Sequence, residues 1–174
     1  AAAFEQFRVA PRDPGVEAMQ RRHRQQRGRR QGSGQRRHSR LHAGLQDAYI
    51  ELHGPLGAGK TTFVRHLLRA LGVQGRIKSP TYAVVEPHET PDGLQAWHFD
   101  FYRFSDPREW EDAGFRDVFA SPGLKLAEWP EKAGALLPRA DLVIHIDTLA
   151  DGTRRVSLHA PTATGRALLQ QEMT

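Results

Sequence analysis

One segment constrains this chain more than any other: Glu51-Leu52-His53-Gly54-Pro55-Leu56-Gly57-Ala58-Gly59-Lys60-Thr61-Thr62-Phe63. Residues 54–61 follow G-x-x-x-x-G-K-(S/T), the pattern of a loop that cradles nucleotide phosphates. The residue types give the reason. Gly54, Gly57 and Gly59 let the backbone turn tightly and aim its N–H groups inward, and Pro55, Leu56 and Ala58 complete the loop. A helix starting at Lys60 adds its positive N-terminal end. Lys60 reaches the β and γ phosphates, and the Thr61 hydroxyl ligates Mg2+. Thr62 is expected in the first helical turn, touching phosphate. The flanks have the required form. Residues 49–52 read as a short strand, and Phe63, Val64, Leu67, Leu68 and Leu71 recur at helical spacing before Gly72 closes the helix.

The rest of the chain alternates between the two periods. Residues 82–86 and 94–101 read as strands joined by Thr90-Pro91-Asp92-Gly93. Asp106 and Pro107 predict the N-cap and first residue of a helix running to about residue 113. A strand is expected at 124–127 and a short helix at 131–137, stopped by Pro138. Strands at 142–146 and 155–159 flank an Asp151-Gly152 turn, and a last helix covers 165–173. Interleaved strands and helices predict an α/β fold, a mixed sheet flanked by helices.

A phosphate loop of this kind needs a carboxylate at the end of a neighbouring strand to complete a Mg2+ site. Two acids qualify. Asp100 ends Trp97-His98-Phe99-Asp100, and Glu128 ends Leu124-Lys125-Leu126-Ala127-Glu128. The two runs have the same form, so the residues alone leave both open. His98 reads as a structural histidine on the strand face opposite Phe99. Trp129, ahead of Pro130, is open between a core anchor and a cover on the nucleotide.

Composition narrows the class. The chain contains no Asn, and no D-x-x-G follows the loop, so guanine recognition through Asn-Lys-x-Asp is excluded. A small-molecule kinase that closes an Arg-bearing lid stays open, with Arg103, Arg108 and Arg116 in a suitable region. A nucleotide-sensing module whose hydrolysis is incidental also stays open, whereas a motor or helicase is expected to need more chain. Residues 1–47 hold 11 Arg against 4 acids, whereas residues 48–174 hold 14 Lys and Arg against 16 acids. The excess positive charge therefore belongs to the first quarter. Residues 21–40 carry nine Arg and no acid, too little apolar surface to offset ordering entropy. Three readings stand for this stretch: a solvated, poorly ordered arm; an arm that attracts tRNA phosphates; or GC-rich DNA read out of frame. The expected division is a poorly ordered, Arg-rich segment at 1–47 and a P-loop ATPase domain at 48–174. Absent Cys, absent long apolar runs and no visible secretory signal predict a soluble, cytoplasmic protein with no membrane association.

Four signatures in order carry a resemblance. Lys60-Thr61-Thr62-Phe63, Lys78-Ser79-Pro80-Thr81-Tyr82, His98-Phe99-Asp100-Phe101-Tyr102-Arg103 and Glu128-Trp129-Pro130 resemble the TsaE (YjeE) family, bacterial ATPases of tRNA threonylcarbamoyladenosine biosynthesis. The likeness runs from about residue 49 to residue 160. It implies a P-loop NTPase fold and Mg2+-dependent ATP hydrolysis. It also implies a partnership with a TsaD-like threonylcarbamoyl transferase and its TsaB-like companion, with tRNA reached only through that complex. Ser79, Pro80 and Thr81 then lie near the γ-phosphate as a switch-like segment. Asp100 is a candidate for positioning water or for holding the Mg2+ ion's own water ligands, Glu128 is a Mg2+ ligand beside Thr61, and Trp129 is its adjacent aromatic. Catalytic roles fall to Lys60, Asp100 and Thr81, and Arg154 is a further nucleotide contact. The sequence departs from relatives at Pro55, where they usually carry Asp. The position is not one of the loop glycines, so ATP binding is expected to survive.

Overall fold

In a computed structural model of the chain, residues 4–9, 44–80 and 83–171 are described. They form a seven-stranded sheet in the order β1-β7-β6-β2-β5-β4-β3. The strands are β1 (Phe4–Val9), β2 (Tyr49–His53), β3 (Val85–Glu89), β4 (Gln95–Asp100), β5 (Leu124–Glu128), β6 (Leu142–Thr148) and β7 (Arg154–His159). The helices are α1 (Lys60–Ala70), α2 (Pro107–Asp112), α3 (Phe115–Ala120) and α4 (Ala163–Gln171).

The central strands β4, β5, β2 and β6 run parallel, and the outer pairs β3–β4, β6–β7 and β1–β7 run antiparallel. This is the α/β architecture expected from the sequence. Its parallel core puts the C-terminal ends of β2, β5 and β4 side by side, the edge at which such sheets bind ligands. The loop of residues 54–59 leaves β2 at that edge, and Glu128 and Asp100 are the last residues of the next two strands.

Alternation along the strands sorts two cores. Ile50 and Leu52 of β2, Leu124 and Leu126 of β5, and Ile144 and Ile146 of β6 pack with Val64 and Leu68 of α1 and Leu168 of α4. The opposite face is aromatic: Phe99 and Phe101 meet Phe104, Trp110 and Phe115, with Phe99 and Phe115 edge to face at 5.7 Å between ring centroids. Each fully buried side chain of this size contributes about 1.5–3 kcal/mol, so both faces anchor the strand ends. Helix α2 begins as its sequence predicts. The Asp106 side chain accepts from Arg108 N, and Glu109 accepts from Asp106 N, closing a capping box.

Two expectations need correction, and two elements add to the expected set. The strand expected at 82–86 is Val85–Glu89. Pro87 reads as a strand breaker, but β3 is the sheet's edge, where a missing N–H is tolerated. The helix expected at 131–137 is two 3-10 turns, Pro130–Lys132 and Gly134–Leu136, broken where Gly134 takes φ +53°. Strand β1 lies inside the Arg-rich segment 1–47, outside every strand expected from the sequence. Helix α3 had no sequence signal beyond Gly114. The segment at 21–40 lies outside the described residues. Among the described residues no helix is long and apolar enough to cross a membrane.

Candidate functional site

The loop's first glycine is fixed by crowding. Gly54 takes φ +138°, and a Cβ there would stand 2.2 Å from the Ile146 carbonyl oxygen of β6. A side chain would push the loop off the sheet. Gly59 caps α1 from the left-handed region, φ +113°, and a Cβ there meets nothing within 4 Å. Conformation, not space, selects glycine at that point, and the space beside the helix N-terminus stays open for a ligand.

A cavity of about 360 Å³ opens there. Its loop wall is Leu56, Gly57, Gly59, Lys60, Thr61 and Thr62; its far wall is Ser79, Asp100, Glu128 and Trp129. The structure thus gathers most of the residues singled out from sequence. Gly54, Pro55 and Ala58 are not on the cavity wall but act through their carbonyls. Lys60 Nζ donates to Gly54 O at 2.6 Å and to Pro55 O at 3.0 Å. Pro55 thus contributes a backbone group that any residue offers, which explains why Pro is compatible with the loop. Arg154, at the start of β7, donates from Nε to Ala58 O at 3.0 Å. It braces the loop from the β6–β7 side and does not line the cavity. Thr81 lies outside the described residues.

Lys60 is buried, 3% exposed. Burial pushes its ammonium below the ordinary lysine range, and the charges of Glu128, Glu131 and Asp100 partly hold it up. Its hydrogen bonds go to backbone carbonyls, and the Trp129 ring centroid lies 3.8 Å from Nζ. Trp129 takes φ +57° and leans on Tyr102 at 5.0 Å. That places the indole on the cavity wall beside the lysine, while its other side packs against the aromatic core. A buried cation held by carbonyls and a ring face keeps its capacity to attract an anion.

The two strand-end acids take different partners. Thr61 Oγ1 donates to Glu128 Oε2 at 2.9 Å, and His98 Nε2 lies 2.8 Å from Glu128 Oε1. Asp100 Oδ2 accepts from Ser79 Oγ at 3.0 Å, and its Oδ1 accepts from Tyr102 N at 3.1 Å. A helix-borne hydroxyl bonded to a strand-end carboxylate is the donor set a phosphate-bound Mg2+ takes. The residues therefore fit that ion. They fit a triphosphate as well, through the open loop, the helix end and the buried ammonium.

Sequence reasoning underrated three residues. His98 contacts Glu128 directly; the cue was its place two residues before Asp100, on the same strand face. Tyr102 and Arg103 line the cavity and belong to the same run. Of the arginines considered for a kinase lid, Arg103 alone is on this wall. Arg108 is exposed and pairs with its own cap, Asp106, at 2.9 Å.

Comparison with known proteins gives a consistent result. The family model "Threonylcarbamoyl adenosine biosynthesis protein TsaE" matches residues 25–156. The chain is 43% identical over 120 residues to the tRNA threonylcarbamoyladenosine biosynthesis protein TsaE of Haemophilus influenzae, covering 69% of this chain and 75% of that one. It is 36% identical over 112 residues to the protein of the same name from Bacillus subtilis (64% and 68%). To the one from Treponema pallidum it is 32% identical over 113 residues (65% and 82%). The crystal structure of Bacillus subtilis YdiB superposes with a TM-score of 0.66 at 22% identity, over 98% of this chain and 95% of that one. That likeness speaks to the fold.

Proposed function

This chain belongs to the TsaE family, and on that premise we propose that it is a Mg2+-dependent ATPase. Its nucleotide cycle drives a threonylcarbamoyl transferase complex, a TsaD-like enzyme with a TsaB-like companion, through repeated rounds of tRNA N6-threonylcarbamoyladenosine formation. The transfer to adenosine is the partner's chemistry. The observation that carries the ATPase reading is the Thr61–Glu128 hydrogen bond at 2.9 Å, which joins the first helical turn after the loop to the end of β5.

The residues divide the work. The loop N–H groups and the N-terminus of α1 receive the β and γ phosphate oxygens. Lys60 exchanges two carbonyl partners for phosphate oxygens and stabilises the charge that develops there. Thr61 and Glu128 hold Mg2+, which neutralises phosphate charge when bound. Asp100 orients the attacking water for in-line displacement, its carboxylate steadied by Ser79 and the Tyr102 N–H. Ser79, with Pro80 and Thr81 after it, belongs to the segment that responds to the γ-phosphate. Arg154 holds the loop in shape through Ala58.

Reconstitution tests the proposal. With purified transferase partners, ATP and tRNA, the chain is expected to convert single-round modification into multiple rounds while releasing phosphate, and Lys60→Ala is expected to lose nucleotide binding and both effects. Phosphate passing to a small-molecule acceptor instead of water overturns the ATPase reading in favour of a kinase. Multiple rounds in the absence of this chain overturn its role in the complex.

A further inference from the structure

We propose that His98 is a positioning residue for the metal-binding carboxylate. It acts as a hydrogen-bond donor that fixes the plane of Glu128. This rests on the reading of Glu128 as a Mg2+ ligand and deepens it.

The geometry is specific. His98 is fully buried, 0% exposed, and Glu128 is 2% exposed. The two sit diagonally on adjacent parallel strands, since His98 pairs with Leu126 and Asp100 with Glu128. His98 Nε2 is 2.8 Å from Glu128 Oε1. An ionised carboxylate only accepts hydrogen bonds, so Nε2 is the donor. Nδ1 is buried and has no hydrogen-bond partner among the described residues. The contact with Glu128 therefore assigns a proton to Nε2.

The consequence lies in what Glu128 has left. A carboxylate offers about four lone-pair sites. Thr61 takes one on Oε2 and His98 one on Oε1. With one bond the group rotates about its terminal torsion, which is broad and soft. With one bond on each oxygen the plane is set, and the remaining lone pairs face in a fixed direction. Partners of this kind typically change metal affinity about 10- to 100-fold when removed.

The test uses the full chain, a non-hydrolysable ATP analogue, and calorimetry with Mg2+ or with EDTA. Wild-type chain is expected to bind the analogue more tightly with Mg2+. His98→Met, of similar volume but without a donor, is expected to lose about tenfold of that enhancement with its EDTA affinity unchanged. His98→Gln, whose side-chain amide supplies a neutral donor, is expected to recover most of it. A role in packing alone predicts the opposite order, with Met the milder change. His98→Met with the full wild-type enhancement overturns the inference and leaves the ATPase reading standing. Absence of any Mg2+ enhancement in the wild-type chain removes both. Should His98→Met fail to fold, imidazole 15N shifts of the wild-type chain decide: a protonated Nε2 supports the inference, and an unprotonated Nε2 overturns it.

Discussion

Asp100 and Glu128 end neighbouring parallel strands in direct register, yet the fold gives them different surroundings. Glu128, on the strand beside β2, is almost fully buried and tied to Thr61 at the foot of the loop's own helix. Asp100, one strand further out, is half-buried and tied to Ser79, in the segment that leads from α1 toward β3. One acid is therefore bolted to the rigid loop, and the other is coupled to a connecting segment. The difference teaches how two similar carboxylates divide two tasks. The one fixed on both oxygens suits a metal, and the one held by a loop hydroxyl suits a group that must answer to the state of the nucleotide.

The largest expected effect breaks the metal half of this comparison. Glu128→Ala should lower Mg2+-dependent phosphate release about 100-fold or more, while analogue binding in EDTA persists. Unchanged release would remove Glu128 from the metal site and erase the contrast. Asp100→Asn should lower release about tenfold to a hundredfold with the Mg2+ enhancement of binding intact in calorimetry. An equal loss of that enhancement in both variants would mean that the acids share one job. Ser79→Ala removes one hydrogen bond, worth about 1 kcal/mol, so release should fall about fivefold. Combined with Asp100→Asn it should add little, because the two side chains act through one contact. Smallest is Trp129→Phe. A phenyl ring still faces the Lys60 ammonium, and a contact of this type is worth about 0.5–1 kcal/mol. Analogue affinity should therefore shift about threefold or less by equilibrium titration, and a larger shift would make the indole a direct cover on the nucleotide.

Much of the architecture was legible in the chain itself. The loop pattern, the amphipathic stripe of α1, the Asp106-Pro107 start of α2 and the apolar runs of β4 and β5 each depend on neighbours within a few residues. The misses share a physical cause. β3 runs through Pro87 to Glu89 because tolerance for proline depends on being at an edge, which is a property of the sheet. Gly134 interrupted a helix whose composition looked permissive. Six residues at Phe4–Val9 became a strand because β7 offered an open partner edge, and nothing within those residues announces that.

The sequence by itself determined that a loop of the phosphate-binding pattern is present, that Lys60 and Thr61 are its proposed working residues, and that guanine recognition through the usual Asn-bearing element is absent. These are local facts of residue type and spacing. It left Asp100 and Glu128 as equals, and Trp129 open between core and site. Only the tertiary structure separated them, because strand order is settled by which apolar faces bury together across long chain separations. That order places β5 against β2 and so brings Glu128, not Asp100, to Thr61. It also turns His98 beneath the same carboxylate, and it carries Trp129 over Lys60.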